Sequence, residues 1–410
     1  MKLHGFWAAA ALGATALGTS LAVLPAHAED APKTIRIGLI APFSGPLAAF
    51  GNGWLDGIDV WEKLHGNTID GKKIEVIKRD ITTVDPLKAK TLAQELLVKE
   101  KVQYLAGFAY TPNFAAVAPL ANQAKIPVIS WNAATSSTID LSPYFLRTSF
   151  TLSQVTVPDA IYAARHGIKK MATMVADYAP GWDGEKVFIQ AYEGLGGKIV
   201  GSIRYPLSTT DFTPYWQRAK SMGPQWVYGF APGGGPTYEM MVAYGNSGLK
   251  QQGLVYLGTG ETGETDLQNE GDPVLGLVTA SFYSAAHDSP ENKQFLQVLH
   301  DLHPKSIASA FQVSAMDGMT LIAKMVEATH GVPDGDKEIA AVKGYKFMSA
   351  RGPVEVDPKT RDWIQNVYLR KVERDPKTHL LINKEFETFP MQPDYGRKGT
   401  KFPTEPQIKQ

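Results

Sequence analysis

The sequence predicts an α/β protein built from two doubly wound parallel-sheet lobes, and three observations lead to that expectation. Short runs rich in β-branched residues alternate with amphipathic helical segments along most of the chain. The alternation pauses near residues 148–154 and then begins again. A single sheet holding every strand would be unusually wide, so two lobes are expected, each with helices covering both faces of parallel strands.

The elements justify this in order. Thr34–Ile40 is a strand, followed by a helix over about residues 47–64. Lys73–Arg79 is a strand, and Pro86–Lys99 is a helix with Leu92, Leu96 and Leu97 on one face. Strands Val102–Gly107 and Ile126–Ser130 flank a helix at Phe114–Gln123. After the pause, helix Val155–His166 leads into strand Lys170–Ala176. Helices at about Gly184–Tyr192, Phe212–Ser221 and Thr237–Tyr244 alternate with strands Lys198–Tyr205, Trp226–Phe230 and Leu254–Leu257. Strand Leu277–Tyr283 precedes three late helices, Pro290–Leu302, Ser309–Thr329 and Lys337–Tyr345. Two extended segments, Trp363–Val372 and Leu380–Phe386, come last, and the Pro-rich tail from Pro390 is expected to be loosely ordered. Late helices packing on the first lobe would carry the chain between lobes more than once and make a hinge.

The first 28 residues carry an address. Lys2, an Ala/Leu/Gly-rich run, Pro25 and the small-x-small end Ala26-His27-Ala28 predict a secretory signal peptide cleaved before Glu29. The alternative, a membrane anchor, is disfavoured because Gly, Ala and Thr dilute the run and Pro25 interrupts it. There is no Cys to carry a lipid, a disulfide or a thiolate-bound metal. Lys plus Arg equals Asp plus Glu at 41 each, so no basic excess favours nucleic acid.

Ligands of open parallel sheets bind beyond the carboxyl ends of the strands. The loops there are Ala41–Pro46 with Phe50 beyond, Phe108–Asn113, Trp131–Thr135, Asp177–Trp182, Ala231–Gly235 and Gly258–Thr262. Glycines, small hydroxyl residues and aromatic rings recur among them. Small residues let a ligand reach backbone N–H groups, while Tyr and Trp supply apolar walls with polar edges. Rings recurring in loops from both halves point to a shared cleft. Gly258-Thr259-Gly260-Glu261-Thr262-Gly263 has dinucleotide-fingerprint spacing, but Asn269, Gly271 and Pro273 deny it a long helix. Gly233–Gly235 lacks the Lys-Ser/Thr of a phosphate loop. The nine His are scattered, with no H-E-x-x-H, and His287 and Asp288 read as a solvated loop. Asp80, Asp177 and Glu261 lie near strand ends, where acids more often cap the next helix than form a hydrolytic pair. No cofactor is expected.

Ser44-Gly45-Pro46 with Gly51, Ile126–Ser130 with Ala133-Ala134-Thr135, and Asp177–Gly181 recur here in a familiar order. Arg351-Gly352-Pro353, Asp357-Pro358 and Asp362 with Gln365–Arg370 complete the series. Together they resemble periplasmic solute-binding proteins for branched-chain amino acids (the Leu/Ile/Val-binding type) over the whole mature chain. The resemblance implies a type I periplasmic binding protein fold with three hinge crossings, expected here as lobes of residues 31–152 plus 286–350 and 153–285 plus 351–390, with a tail of 391–410. It also implies a non-catalytic periplasmic receptor that closes on a small carboxylate and delivers it to an inner-membrane ABC permease, expected to be monomeric.

The residues carried over are Ala133 and Thr135 for the polar head of the ligand, and Phe50 packing on its side chain. Thr111 stands in for a serine-rich loop, Gly181-Trp182 replaces a Tyr-Gly, and Glu261 is the acid that would face an ammonium group. The Tyr-Ala-Pro-Gly and Arg-Gly-Pro segments resemble an aromatic-acid-binding branch of the family. On that reading Tyr110, Trp131, Tyr178 and Trp182 surround a flat ring, with Pro232 alongside. A ligand-sensing receptor of the same fold, a secreted enzyme and an adhesive protein are the rival readings.

Overall fold

The computed structural model describes residues 32–404 together with residues 1, 2 and 5. The apolar run of the expected signal peptide and its cleavage site lie outside the described residues. The first lobe opens with β1 (Thr34–Ala41), α1 (Ala48–His65), β2 (Thr68–Ile69), β3 (Lys72–Asp80) and α2 (Pro86–Val98). It continues through β4 (Tyr104–Gly107), α3 (Thr111–Ala116), α4 (Ala118–Ala124), β5 (Val128–Ser130) and β6 (Phe145–Arg147). These strands form a six-stranded sheet in the order β2-β3-β1-β4-β5-β6, parallel except for the short β2–β3 pair. Ile35, Ile37, Leu39 and Ile40 of the central strand β1 are all buried, as expected where helices cover both faces.

The second lobe contains α5 (Leu152–Arg165), β7 (Lys170–Ala176), α6 (Ala179–Gly194), β8 (Lys198–Tyr205), α7 (Thr213–Ser221) and β9 (Trp226–Phe230). Next come α8 (Gly235–Asn246), β10 (Val255–Gly258), α9 (Glu264–Glu270) and β11 (Val278–Ser281). The chain then supplies α10 (Pro290–Leu302), α11 (Ala310–Thr329) and α12 (Gly335–Val342). Helix α11 buries Met319, Ile322 and Met325 in the same core as Trp54 and Ile58 of α1. Last are β12 (Lys346–Ser349), β13 (Gly352–Val356), β14 (Trp363–Arg374) and β15 (Leu381–Gln392).

The second sheet has nine strands in the order β12-β13-β14-β11-β10-β9-β7-β8, with β15 paired to β14. Its parallel strands β11-β10-β9-β7-β8 form the expected doubly wound sheet, extended by antiparallel strands at one edge. Strand β14 runs antiparallel to β11, β13 and β15, because β13, β14 and β15 are joined by short turns and not by helical crossovers. The expected helix at Phe114–Gln123 is two helices with Val117 between them, and Pro119 in the first turn of α4 explains the break. Helix α6 starts earlier than expected, at Ala179, with Pro180 seated in its first turn.

The chain passes between the two apolar cores three times: at residues 148–151, at 282–289, and along β13–β14, where Trp363 belongs to the first core and Val367 to the second. Arg351 ties these passages together. Its guanidinium donates to the carbonyls of Thr148 (2.7 Å) and Ser149 (3.1 Å), pairs with Asp317 at 2.7 Å and lies over the Phe282 ring at 4.7 Å. The expected loose tail is firmly held at its start. Asp394 accepts from Ser136, Thr151 and Ser153 hydroxyls at 2.7, 3.1 and 2.5 Å. Arg397 pairs with Asp362 (2.5 Å), Asp394 (3.0 Å) and Asp140. No helix among the described residues is long and apolar enough to cross a membrane.

Candidate functional site

The carboxyl ends of strands from both lobes converge on one cavity of about 110 Å³. The first lobe contributes Phe50 from α1, Ala109 and Thr111 after β4, Asn132 and Ala134 after β5, and the start of α11 around Phe311. The second lobe contributes Tyr178 and Pro180 after β7, Phe230 to Gly233 after β9, and Thr259 to Asp266 around the start of α9. Phe150 and Phe282 come from the crossing segments, and Arg370 reaches the cavity from β14.

The rings meet in pairs. Phe50 and Phe311 have centroids 4.0 Å apart, Phe150 and Phe282 stack at 5.0 Å, and Tyr178 and Phe230 lie nearly parallel at 6.1 Å. Each pair comes from one lobe or from the hinge, so the hollow is walled by aromatic faces on several sides. Such walls offer large apolar area at little conformational entropy, which suits a flat apolar ligand. Phe108, at the base of a wall loop, holds φ +65°, an uncommon conformation for a bulky residue.

The lobes touch at two places. Asp183 of α6 accepts from the Ser136 amide of the first lobe (3.0 Å), and the Ser136 hydroxyl lies between Asp183 (2.8 Å) and Asp394 (2.7 Å). Gly234 has φ +65°, and a Cβ there would stand 2.5 Å from Leu47 Cδ2 and 3.0 Å from the Pro46 carbonyl oxygen. Only glycine lets these two loops approach so closely.

The expected ligand contacts divide. Phe50, Thr111, Tyr178 and Pro232 line the cavity. Thr135 stands behind it, its hydroxyl donating to Thr111 Oγ1 at 3.2 Å, and the Ala133 amide donates to the Phe108 carbonyl at 3.1 Å. Tyr110 packs on the first core, and burial pushes its hydroxyl up to about 12. Trp131 does not face the hollow. It is 1 % exposed, edge-on to Trp54 at 5.8 Å, and seated on Gly318 of α11, where any side chain would run into the indole. Trp182 turns the other way. It is 47 % exposed, its Nε1 donates to Asp177 at 2.7 Å, and the Arg204 guanidinium lies 6.0 Å from its ring.

Glu261 is also off the cavity wall. Its carboxylate accepts from the amides of Ala231 (2.9 Å) and Thr259 (2.7 Å), and burial pushes it up to about 7 against those hydrogen bonds. The other strand-end acids serve their own loops: Asp80 accepts from Phe43 N and Ser44 Oγ, and Asp177 from Trp182. Among the described residues no group of three or more His, Cys, Asp or Glu is placed to hold a metal. The wall residues that sequence reasoning missed include Phe150, Phe282, Phe311, Glu264, Asp266 and Arg370. Arg370 sat inside a noted motif, and Phe311 sat at a predicted helix start; neither position signals its neighbour across the fold.

Two sheet lobes joined by repeated crossings and meeting over a ring-lined hollow define a ligand-capturing protein of the two-lobed kind. The family model for periplasmic binding proteins matches residues 34–377, and the chain belongs to that family. A Leu/Ile/Val-binding protein homolog 6 of Brucella abortus (strain 2308) is 44% identical over 385 residues, covering 93% of this chain and 98% of that protein. The solute-binding protein of an ABC transporter from Rhodopseudomonas palustris HaA2, solved in complex with p-hydroxybenzoic acid, is 48% identical with TM-score 0.88, covering 90% of this chain and 100% of that one. One from Rhodopseudomonas palustris BisB5, in complex with 3,4-dihydroxybenzoic acid, is 42% identical with TM-score 0.84, covering 89% and 99%.

Proposed function

We propose that this chain is the periplasmic solute-binding protein of an ABC importer and that its ligand is a small aromatic carboxylate. The observation that carries this reading is the cavity between the lobes, walled by three aromatic pairs from the first lobe, the second lobe and the hinge. Relatives at 48% and 42% identity were solved with hydroxylated benzoic acids, which fits such walls. A branched-chain amino acid suits the site less well, because Glu261, the acid expected to face an ammonium group, is committed to backbone amides.

In this mechanism ligand contacts to both lobes favour the closed arrangement, and a permease in the inner membrane reads that shape. The moving bodies are residues 31–152 plus 286–350 and residues 153–285 plus 351–390. The signal peptide delivers the protein to the periplasm, where it works as a monomer and releases its ligand unaltered.

Isothermal titration of the purified mature protein with benzoate, 4-hydroxybenzoate, 3,4-dihydroxybenzoate and leucine tests the reading. Micromolar or tighter binding of at least one benzoate is expected. Tight binding of leucine with none of the benzoates would reject it.

A further inference from the structure

We propose that Glu264 is the acceptor for a hydrogen-bond donor at the end of the ligand opposite its carboxylate, so that the site prefers aromatic acids bearing a para-hydroxyl. This rests on the aromatic-carboxylate reading above and extends it to the polarity of the site.

Every formally charged residue on the cavity wall belongs to the second lobe: Glu264, Asp266 and Arg370. The first-lobe wall, from Phe50 to the loops at Thr111 and Ala134, carries no charge. Arg370 is engaged through both terminal nitrogens, while its Nε is buried without a hydrogen-bond partner among the described residues. Its Nη1 donates to the Tyr283 carbonyl at 2.6 Å and to Glu264 Oε1 at 3.3 Å, and its Nη2 donates to Thr279 Oγ1 at 3.3 Å. Arg370 therefore fixes Glu264 in place.

Glu264 Oε1 also receives Asn383 Nδ2 at 3.1 Å and the Ala285 amide at 3.4 Å, so this oxygen is fully engaged. Its Oε2 has no hydrogen-bond partner among the described residues. A carboxylate side chain 10% exposed, immobilised through one oxygen, presents the other to the cavity as a preorganised acceptor. A phenolic hydroxyl satisfies it. A ring without a donor leaves it desolvated and unpaired, which is how buried polar groups reject an analogue. The same negative charge repels the ligand's carboxylate and directs it to the uncharged first-lobe wall. There the backbone N–H groups of Asn132 and Ala134 have no acceptor among the described residues, while the Asn132 side chain donates to the Ala109 carbonyl at 2.8 Å.

The test is titration calorimetry of the mature protein with 4-hydroxybenzoate, benzoate and 4-fluorobenzoate, the last close in shape but lacking the donor. The wild type is expected to bind 4-hydroxybenzoate at least about tenfold tighter than either analogue. Glu264→Gln is expected to shrink that preference below about threefold by weakening 4-hydroxybenzoate, with benzoate affinity held within about twofold. Equal wild-type binding of benzoate and 4-hydroxybenzoate overturns the assignment while leaving the aromatic-carboxylate reading standing. A Glu264→Gln protein that loses both ligands equally, or binds 4-hydroxybenzoate more tightly, also overturns it. Should Glu264→Gln fail to fold, the wild-type comparison with 4-fluorobenzoate decides alone. Binding of none of the three overturns both readings.

Discussion

Trp131 and Trp182 follow strands in equivalent places, yet the fold uses them in opposite ways. Trp131 fills a slot beside Trp54 that exists because residue 318 is glycine. Trp131→Ala is therefore expected to cost about 3–5 kcal/mol of stability, read as a lowered denaturant midpoint. Trp182→Ala removes an exposed ring and should leave ligand affinity within about twofold by calorimetry. The loop composition made both rings visible as strand-end aromatics. The direction of each ring was not legible, because it depends on Gly318 and Arg204, which are distant in sequence. Phe50, Thr111, Tyr178 and Pro232 line the cavity because they sit on the loops beyond parallel strands or in the first turn of the helix that follows.

At the scale of elements, the clasp between the turn that begins at Ser136 and helix α6 is the most exposed to experiment. Asp183 accepts from the Ser136 amide between the lobes and lies within hydrogen-bond distance of its hydroxyl. Asp183→Ala should weaken ligand binding about tenfold through faster dissociation, measured by stopped-flow fluorescence. The long alternating segments were readable from periodicity, and β7, β8 and β9 match their expected bounds. Strands β6, β12 and β13 were missed because three to five residues carry too little pattern to separate strand from loop. The tail was misread for a different reason. Its Pro-rich composition is that of a loose end, but Asp394 and Arg397 find charged and hydroxyl partners that only the folded chain assembles. Arg397→Ala should lower stability by about 2–3 kcal/mol, seen as an earlier urea midpoint, because Asp362 keeps Arg147 as its remaining partner.

Over the whole molecule, buried acids link stability to pH. Burial pushes Glu261 and Glu338 up to about 7, and Glu270, near Asp266 and Glu261, up to about 9. Each binds its proton more tightly folded than unfolded. Their contribution is thus fully present below the ordinary carboxylate range and is lost as pH rises through these raised values. The melting temperature is expected to fall between pH 5 and pH 8 in differential scanning calorimetry. Both Glu270 carboxylate oxygens lack a hydrogen-bond partner. Glu270→Gln, which mimics the protonated form, should recover on the order of 2 kcal/mol at pH 8 and much less at pH 5.

Arg351 gathers all three passages between the cores at one point. A single strand would act as a ball joint and let the halves swivel freely. Three separate passages, pinned by one guanidinium, leave one soft degree of freedom, a bend about a shared axis. Each empty receptor then swings back along the same arc, and the two rims arrive in the same register every time.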